Sequence, residues 1–152
     1  MTLSREKQVL TAARLSALAV PPPVPTGETR HFWDACARGR FELQHCAGCE
    51  RWVFYPRAQC PHCWSQDLRW REASGKATVR SFTVVHKPGH PGWADAAPYV
   101  VAVLVLAEGP TMLTTLRDVA PADVAVGMPV RISFTPVGEY TLPTAVPAGE
   151  PR

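Results

Sequence analysis

Apolar and polar positions divide the chain into a helical N-terminal part and a long β-patterned remainder. Residues 4–18 hold the helix formers Glu6, Lys7, Gln8, Leu10, Ala12, Ala13, Arg14 and Leu15, with no glycine or proline. That composition predicts a helix. The PPPVP run at 21–25 ends it, because proline donates no amide hydrogen and restricts the residue before it. Phe32, Ala35, Cys36 and Gly39 fall at i, i+3, i+4 and i+7, which predicts a second, short helix from about residue 29 that stops at Gly39.

From residue 41 the period drops to two. Short β-prone pieces at 41–44, 52–54 and 68–70 come first, and strands are predicted at 78–85, 100–106, 112–116, 130–134 and 140–142. VVAVLVL at 100–106 is continuously apolar, the pattern of a strand covered on both faces. VRISF at 130–134 alternates and turns Val130, Ile132 and Phe134 inward. Glu108-Gly109-Pro110 and Gly127-Met128-Pro129 read as hairpin turns. Five short strands within about 75 residues predict a small closed barrel of the OB type.

Composition narrows this picture. A length of 152 residues suits one compact domain or two small ones sharing a core. Proline, at 16 residues, is about twice its usual ~5% share, which favours short elements broken by turns. No apolar run approaches the roughly 18 residues that span a bilayer. The N-terminus, with Arg5, Glu6, Lys7 and Arg14, has no uninterrupted apolar core and reads poorly as a signal peptide. The expectation is a cytoplasmic protein without a membrane segment. In a reducing compartment, the five cysteines serve more readily as metal ligands than as disulfides.

Four of them stand in CAGCERWVFYPRAQCPHC, as two CxxC pairs ten residues apart: Cys46, Cys49, Cys60 and Cys63. A CxxC turn points two sulfurs at one ion, so two such turns make a closed tetrahedral site suited to structural Zn²⁺. The competing readings are rubredoxin-type iron, dithiol redox chemistry, and His45 or His62 in place of a thiol. The fifth cysteine, Cys36, shares the apolar helix face with Phe32, which makes packing the simpler role for it. No G-x-S-x-G elbow, H-E-x-x-H pair or phosphate-cradling glycine loop occurs. No catalytic residue is therefore assigned.

Phe32-Trp33-Asp34, Gly39-Arg40-Phe41, the two CxxC pairs, Tyr55-Pro56-Arg57, the run from Ser74 to His86, Pro98-Tyr99-Val100-Val101, Glu108-Gly109 and Val126-Gly127-Met128-Pro129-Val130 form an ordered series. In that order the sequence resembles the DUF35 family. The resemblance implies N-terminal helices at 1–40, a rubredoxin-like zinc ribbon at 41–73, an OB-fold at 74–147 and a tail at 148–152. It departs at Glu50 and Trp64, where small residues usually follow the knuckles, a change expected to loosen sulfur–amide bonds. It departs again at Leu142-Pro143-Thr144-Ala145, which lacks the family's following aromatic.

The resemblance also implies a function. Family members look like non-catalytic partners of thiolase-fold enzymes, and in some cases of acyl-CoA hydratases, in hetero-oligomers that handle acyl-CoA. A CoA thioester would then lie at the partner interface. Within 86–98, Lys87, His86 and His90 could meet a CoA phosphate and Trp93 could anchor an interface, unless the segment is a plain solvated loop. Trp33 and Arg57 are the other candidate contacts, each with packing or simple surface exposure as the alternative.

Two rival functions remain. OB barrels and ribbons also bind nucleic acid. However, residues 74–147 balance five basic side chains (Lys76, Arg80, Lys87, Arg117, Arg131) against five acidic ones (Asp95, Glu108, Asp118, Asp123, Glu139). A phosphate-tracking groove needs a basic excess, so no nucleic-acid partner is expected. The other rival is a stand-alone acyl-CoA-binding protein or enzyme using Cys36 or His86.

Overall fold

A computed structural model describes residues 8–149; the expected helix residues 4–7 and the tail residues 150–152 lie outside the described residues. The first helix is shorter than composition suggests. Helix α1 runs Ala12–Ser16, and the Thr11 hydroxyl accepts the Arg14 amide at 3.2 Å as its N-cap. Upstream of the cap the chain serves tertiary packing. Leu10 is buried, and its carbonyl accepts the Asp118 amide at 2.9 Å.

Helix α2 (Arg30–Ala37) buries Phe32, Ala35 and Cys36, as the 3.6-residue period requires. Its end is a Schellman motif. Gly39, at φ +70°, donates to the Cys36 carbonyl at 2.9 Å, and Arg40 donates to the Ala35 carbonyl at 2.9 Å.

Strands β1 (Glu42–Cys46), β2 (Trp52–Val53) and β3 (Leu68–Glu72) form an antiparallel sheet in the order β2-β1-β3. The Ala73 amide donates to the Phe41 carbonyl at 2.8 Å, so this sheet leaves the body and returns to it at one point. Strands β4 (Lys76–Val85), β5 (Tyr99–Leu106), β6 (Thr111–Leu116), β7 (Pro129–Val137) and β8 (Tyr140–Pro147) close a barrel in the order β4-β5-β6-β8-β7. The fold is thus mainly β, with a cysteine-bearing ribbon and a five-stranded OB barrel. The β4–β7 closure uses Lys76 to Thr78 against Arg131 to Pro129, whereas β6 meets β8 through the single parallel pair Leu116↔Ala145. Among the described residues no helix is long and apolar enough to cross a membrane.

The main core unites the modules. Phe32 and Cys36 of α2, Phe41 and Leu43 of the ribbon, and Val79, Ala102, Leu104, Leu116, Val130 and Ile132 of the barrel belong to one cluster. A second cluster of Leu10, Leu15, Ala96, Tyr99 and Val137 lies outside the barrel wall.

That outer cluster explains the first two of three departures from the sequence pattern. VVAVLVL is covered fully on one face only: Val101, Val103 and Val105 are half-buried, and Val101 sits beneath the outer cluster. In β7 the inward alternation of Val130 and Ile132 gives way at a half-buried Phe134; Thr135 and Val137 are then buried, where α1 packs on the strand and Ser16 donates to the Pro136 carbonyl at 2.6 Å. Arg117 is buried as well. Its Nε donates to Thr135 Oγ1 (3.1 Å) and Thr144 Oγ1 (3.2 Å), its Nη2 donates to Ser133 Oγ (2.6 Å), and it pairs with Asp118. A buried guanidinium persists only when its donors are satisfied, as they are here.

The turns also differ in part. Glu108-Gly109 turns the β5–β6 hairpin, with Gly109 donating to the Leu106 carbonyl at 2.9 Å. Gly127 instead follows a 3-10 helix at Pro121–Asp123 and leads into β7, so that turn joins no hairpin.

The 86–98 segment is ordered rather than plain loop. It holds a 3-10 helix, Pro91–Ala96, capped by His90 Nδ1, which accepts the Gly92 amide at 3.0 Å. Arg14 donates to the Asp95 carbonyl at 2.9 Å, tying this helix to the N-terminal segment. A Cβ on Gly92 would lie 2.3 Å from the Ala19 carbonyl oxygen. Backbone cannot yield as a flexible side chain does. Gly92→Ala is therefore expected to cost about 1–3 kcal/mol, the usual penalty of overpacking. The readout is a lower urea midpoint at unchanged m-value.

Candidate metal centre and apolar groove

The two CxxC turns bring Cys46, Cys49, Cys60 and Cys63 together, with all four sulfurs within 4.8 Å of one another. Two edges of the set are short, Cys46–Cys63 at 3.5 Å and Cys49–Cys60 at 3.7 Å. A tetrahedron with Zn–S bonds of about 2.3 Å has edges of about 3.8 Å, so the donor set fits this ion in size and chemistry. Neither neighbouring histidine joins the cluster: His45 meets Trp52 edge-on at 5.2 Å, and His62 is exposed, its amide 3.4 Å from Cys60 Sγ.

Backbone amides already address these sulfurs. The Cys49 amide draws the Cys46 thiol down to about 6, against the opposing effect of burial. At Cys63 the Ser65 amide pulls down, but the Cys46 thiol and burial outweigh it and push the group up to about 12. Glu50 and Trp64 sit at φ +60° and +66°, the left-handed conformation that glycine takes freely. This posture keeps the Arg51 and Ser65 amides on the Cys49 and Cys63 sulfurs. The sequence departure is absorbed by backbone strain, at roughly 1–2 kcal/mol per residue, with the sulfur–amide bonds intact.

A second site lies where α2, the ribbon and the barrel meet. A cavity of about 370 Å³ is lined by Phe32 and Trp33, by Phe54 and Tyr55, and by parts of β6 and β8, with Trp93 at one side. It follows from the barrel seam: β6 and β8 diverge from their single pair, and the Thr114 hydroxyl bridges the gap to the Pro143 carbonyl at 2.7 Å. The aromatics are held edge-to-face, Phe32 to Trp33 at 5.3 Å and Phe32 to Phe54 at 5.6 Å. Trp33 Nε1 donates to Tyr55 Oη at 3.0 Å, and Trp93 stacks on Tyr99 at 5.1 Å. Leu113, at the rim, is 66% exposed. Apart from the Tyr55 phenol, the lining carries no acid, base or thiol. It can bind apolar matter, and its threonine hydroxyls, Thr114, Thr115 and Thr144, have no base in the lining to activate them.

Of the residues singled out from sequence, Trp33 and Trp93 meet at this cavity. Arg57 lies elsewhere, on the ribbon, with its Nε on the Tyr55 carbonyl at 3.1 Å. His86, Lys87 and His90 are exposed beside the 3-10 helix. Cys36 is fully buried, and burial pushes its thiol up to about 12, so it holds its proton at neutral pH and makes a poor nucleophile.

Sequence reasoning missed the clamp that fixes α2. Buried Glu42 lies 2.5 Å from His31 Nε2 and 2.9 Å from an Arg40 nitrogen, and the His31 ring stacks on Trp70 at 4.3 Å. An acidic residue at a strand start gave no signal for this.

Family models described as the ChsH2 rubredoxin-like zinc ribbon domain and the ChsH2 C-terminal OB-fold domain match residues 33–69 and 70–135, respectively. A solved structure titled "Ltp2-ChsH2(DUF35) aldolase" is 36% identical with a TM-score of 0.75, covering 84% of this chain and all of that one. The chain belongs to the DUF35 family. Within the family, a "DUF35 domain-containing scaffold protein" of Pyrococcus furiosus is 34% identical over 58% of this chain and 64% of its own length. A "Probable enoyl-CoA hydratase alpha subunit" of Thermomonospora curvata is 37% identical over 84% of this chain. The chain spans only about two fifths of that hydratase subunit's length, 40%.

Proposed function

We propose that this DUF35 chain is a non-catalytic accessory subunit that binds a thiolase-fold acyl-CoA enzyme and helps to form or stabilise its acyl-CoA site. The observation that carries this reading is the apolar cavity at the junction of α2, ribbon and barrel, whose lining lacks catalytic groups. The solved relative titled as an aldolase pairs a DUF35 chain with Ltp2, which supports an enzyme partner. The named hydratase subunit makes an acyl-CoA hydratase the second partner class to look for. In this reading the four cysteines hold structural zinc and fix the ribbon against α2, so that Trp33 and Tyr55 keep their places in the cavity wall. Trp33 and Trp93 contact the partner or its acyl group. His86, Lys87 and His90 stand on the segment that carries Trp93, where they would face CoA phosphates. The contribution to catalysis is positioning.

Native mass spectrometry of the tagged chain captured from its source cells tests this directly. The expected result is a thiolase-fold subunit, one zinc and retained CoA in one assembly. Thiolase or aldolase turnover is expected only with that subunit present; turnover by the purified chain alone would refute the accessory role. Leu113→Arg places a charge at the exposed rim and is expected to leave stability within about 0.5 kcal/mol. Assembly should weaken by about 30-fold or more, the scale of a hot-spot loss. An unchanged affinity would exclude the cavity as the docking site.

A further inference from the structure

The second CxxC turn carries a residue that neither folding nor metal binding calls for. Trp64 sits at φ +66° with 76% of its surface exposed. A left-handed backbone crowds the Cβ of a bulky residue, and an indole left in water gains nothing from burial. The amide of Trp64 donates to the Cys60 carbonyl at 2.9 Å, a bond that glycine would make equally well. Glu50 takes the same posture in the first turn, but a solvated carboxylate there exposes no large apolar surface.

The surroundings of Trp64 supply a use. The indole borders a depression of about 370 Å³, also lined by Arg57, Ala58, Gln59, Cys60 and Pro61. This depression shares no lining residue with the cavity between α2 and the barrel. Its one cation is Arg57, which is exposed and has no carboxylate in the same lining. Cys60 and Cys63 pin the turn that leads into Trp64, so little order is lost when a partner covers the indole. Tryptophan and arginine are the residue types that most often anchor protein interfaces.

We propose that Trp64 and Arg57 form a second docking surface, which receives a protein surface presenting a carboxylate beside an apolar side chain. The sign follows from Arg57: an exposed guanidinium with no carboxylate partner in its depression selects an acidic patch and repels a basic one. The apolar neighbour follows from the indole, Ala58 and Pro61. This inference rests on the reading of the chain as a subunit of an enzyme assembly.

The test uses the full chain and the thiolase-fold subunit identified by capture, purified and titrated by calorimetry. Trp64→Gly is expected to keep one zinc per chain and an equal or higher melting temperature, while affinity falls at least tenfold. Trp64→Phe, which retains an aromatic, should recover part of that loss. Arg57→Glu should weaken assembly most at low salt. A Trp64→Gly chain that binds within twofold of wild type would overturn the ribbon surface alone and leave a solvated turn. Wild-type chain that fails to bind the subunit would overturn the underlying reading as well. Salt-sensitive binding of single-stranded oligonucleotide that quenches Trp64 fluorescence would assign the surface to nucleic acid and likewise refute the proposal.

Discussion

Cys60→Ser is expected to abolish zinc retention and to unfold β1–β3 while the barrel keeps most of its structure. Around the metal site the ribbon has almost no apolar core of its own: among the described residues, Val53 and Leu68 are the non-cysteine members of that cluster. A core of this size cannot offset the entropy of ordering some thirty residues, at roughly 1–2 kcal/mol each for the backbone. Metal coordination, on the order of 10 kcal/mol or more for a structural zinc, closes that gap. Cys60 is a severe position to change, because it is fully buried and its loss leaves three ligands around the ion. The barrel residues Val79, Ala102, Leu104, Val130 and Ile132 belong to the main core, a different cluster from the one that holds Cys46 and Cys60. Metal analysis should fall from one zinc per chain to near zero. Near-ultraviolet signals from Trp52 and Trp70 should collapse, while the far-ultraviolet spectrum changes by the ribbon's share. A serine variant with full zinc and an unchanged spectrum would show that the ribbon folds without its metal.

Phe32→Ala should bring the second large effect, about 3–5 kcal/mol of lost stability. Phe32 is 1% exposed and joins α2 to both other modules, touching Trp33, Phe54 and Tyr55 through edge-on ring contacts. Truncation leaves a void in the core shared by helix, ribbon and barrel, and packing from all three limits collapse into it. The aromatic wall of the cavity would lose its centre, so assembly with an enzyme subunit should weaken together with folding. Phe32→Leu separates the two effects, because a smaller volume change should cost less than the alanine change. The urea midpoint of both variants decides the matter. A loss below about 1 kcal/mol for the alanine variant would mean that Phe32 is not the junction described above.

Much of the architecture was legible because its signals are local. Alternation in 130–134 and β-prone residues at 112–116 located strands, Gly39 located a helix end, and two CxxC pairs marked four thiols that the fold brings together. The start of α1 was not legible, because propensity speaks for residues 4–11 while the burial of Leu10 and the Thr11 cap decide the outcome at the described positions. Length was misjudged for β8, where eight residues pair along β7 although Pro143 and Pro147 interrupt the pattern. Both prolines sit where β8 has little neighbour on its other side, since β6 meets it only at Ala145. Buried Glu42 and Arg117 were invisible for a related reason: alternation assigns charges to solvent, and only the tertiary partners His31, Ser133 and Thr144 make burial tolerable. The cavity was least legible. Its walls come from six places between residues 15 and 144, and nothing in any one segment marks it.

The hydrogen bond from Ala73 to Phe41 has a consequence for how the ribbon acquires its metal. Because the two ends of the limb are already joined, the ion need not gather distant parts of the chain. The longest gap between successive ligands is the ten residues separating Cys49 from Cys60. Closure entropy grows only as (3/2)RT ln n, so closing a gap of that size costs about 1 kcal/mol less than closing one three times longer. Folding of the body thus acts as a splint: it holds the two ends of the limb, and the free energy of coordination goes into ordering the residues between them.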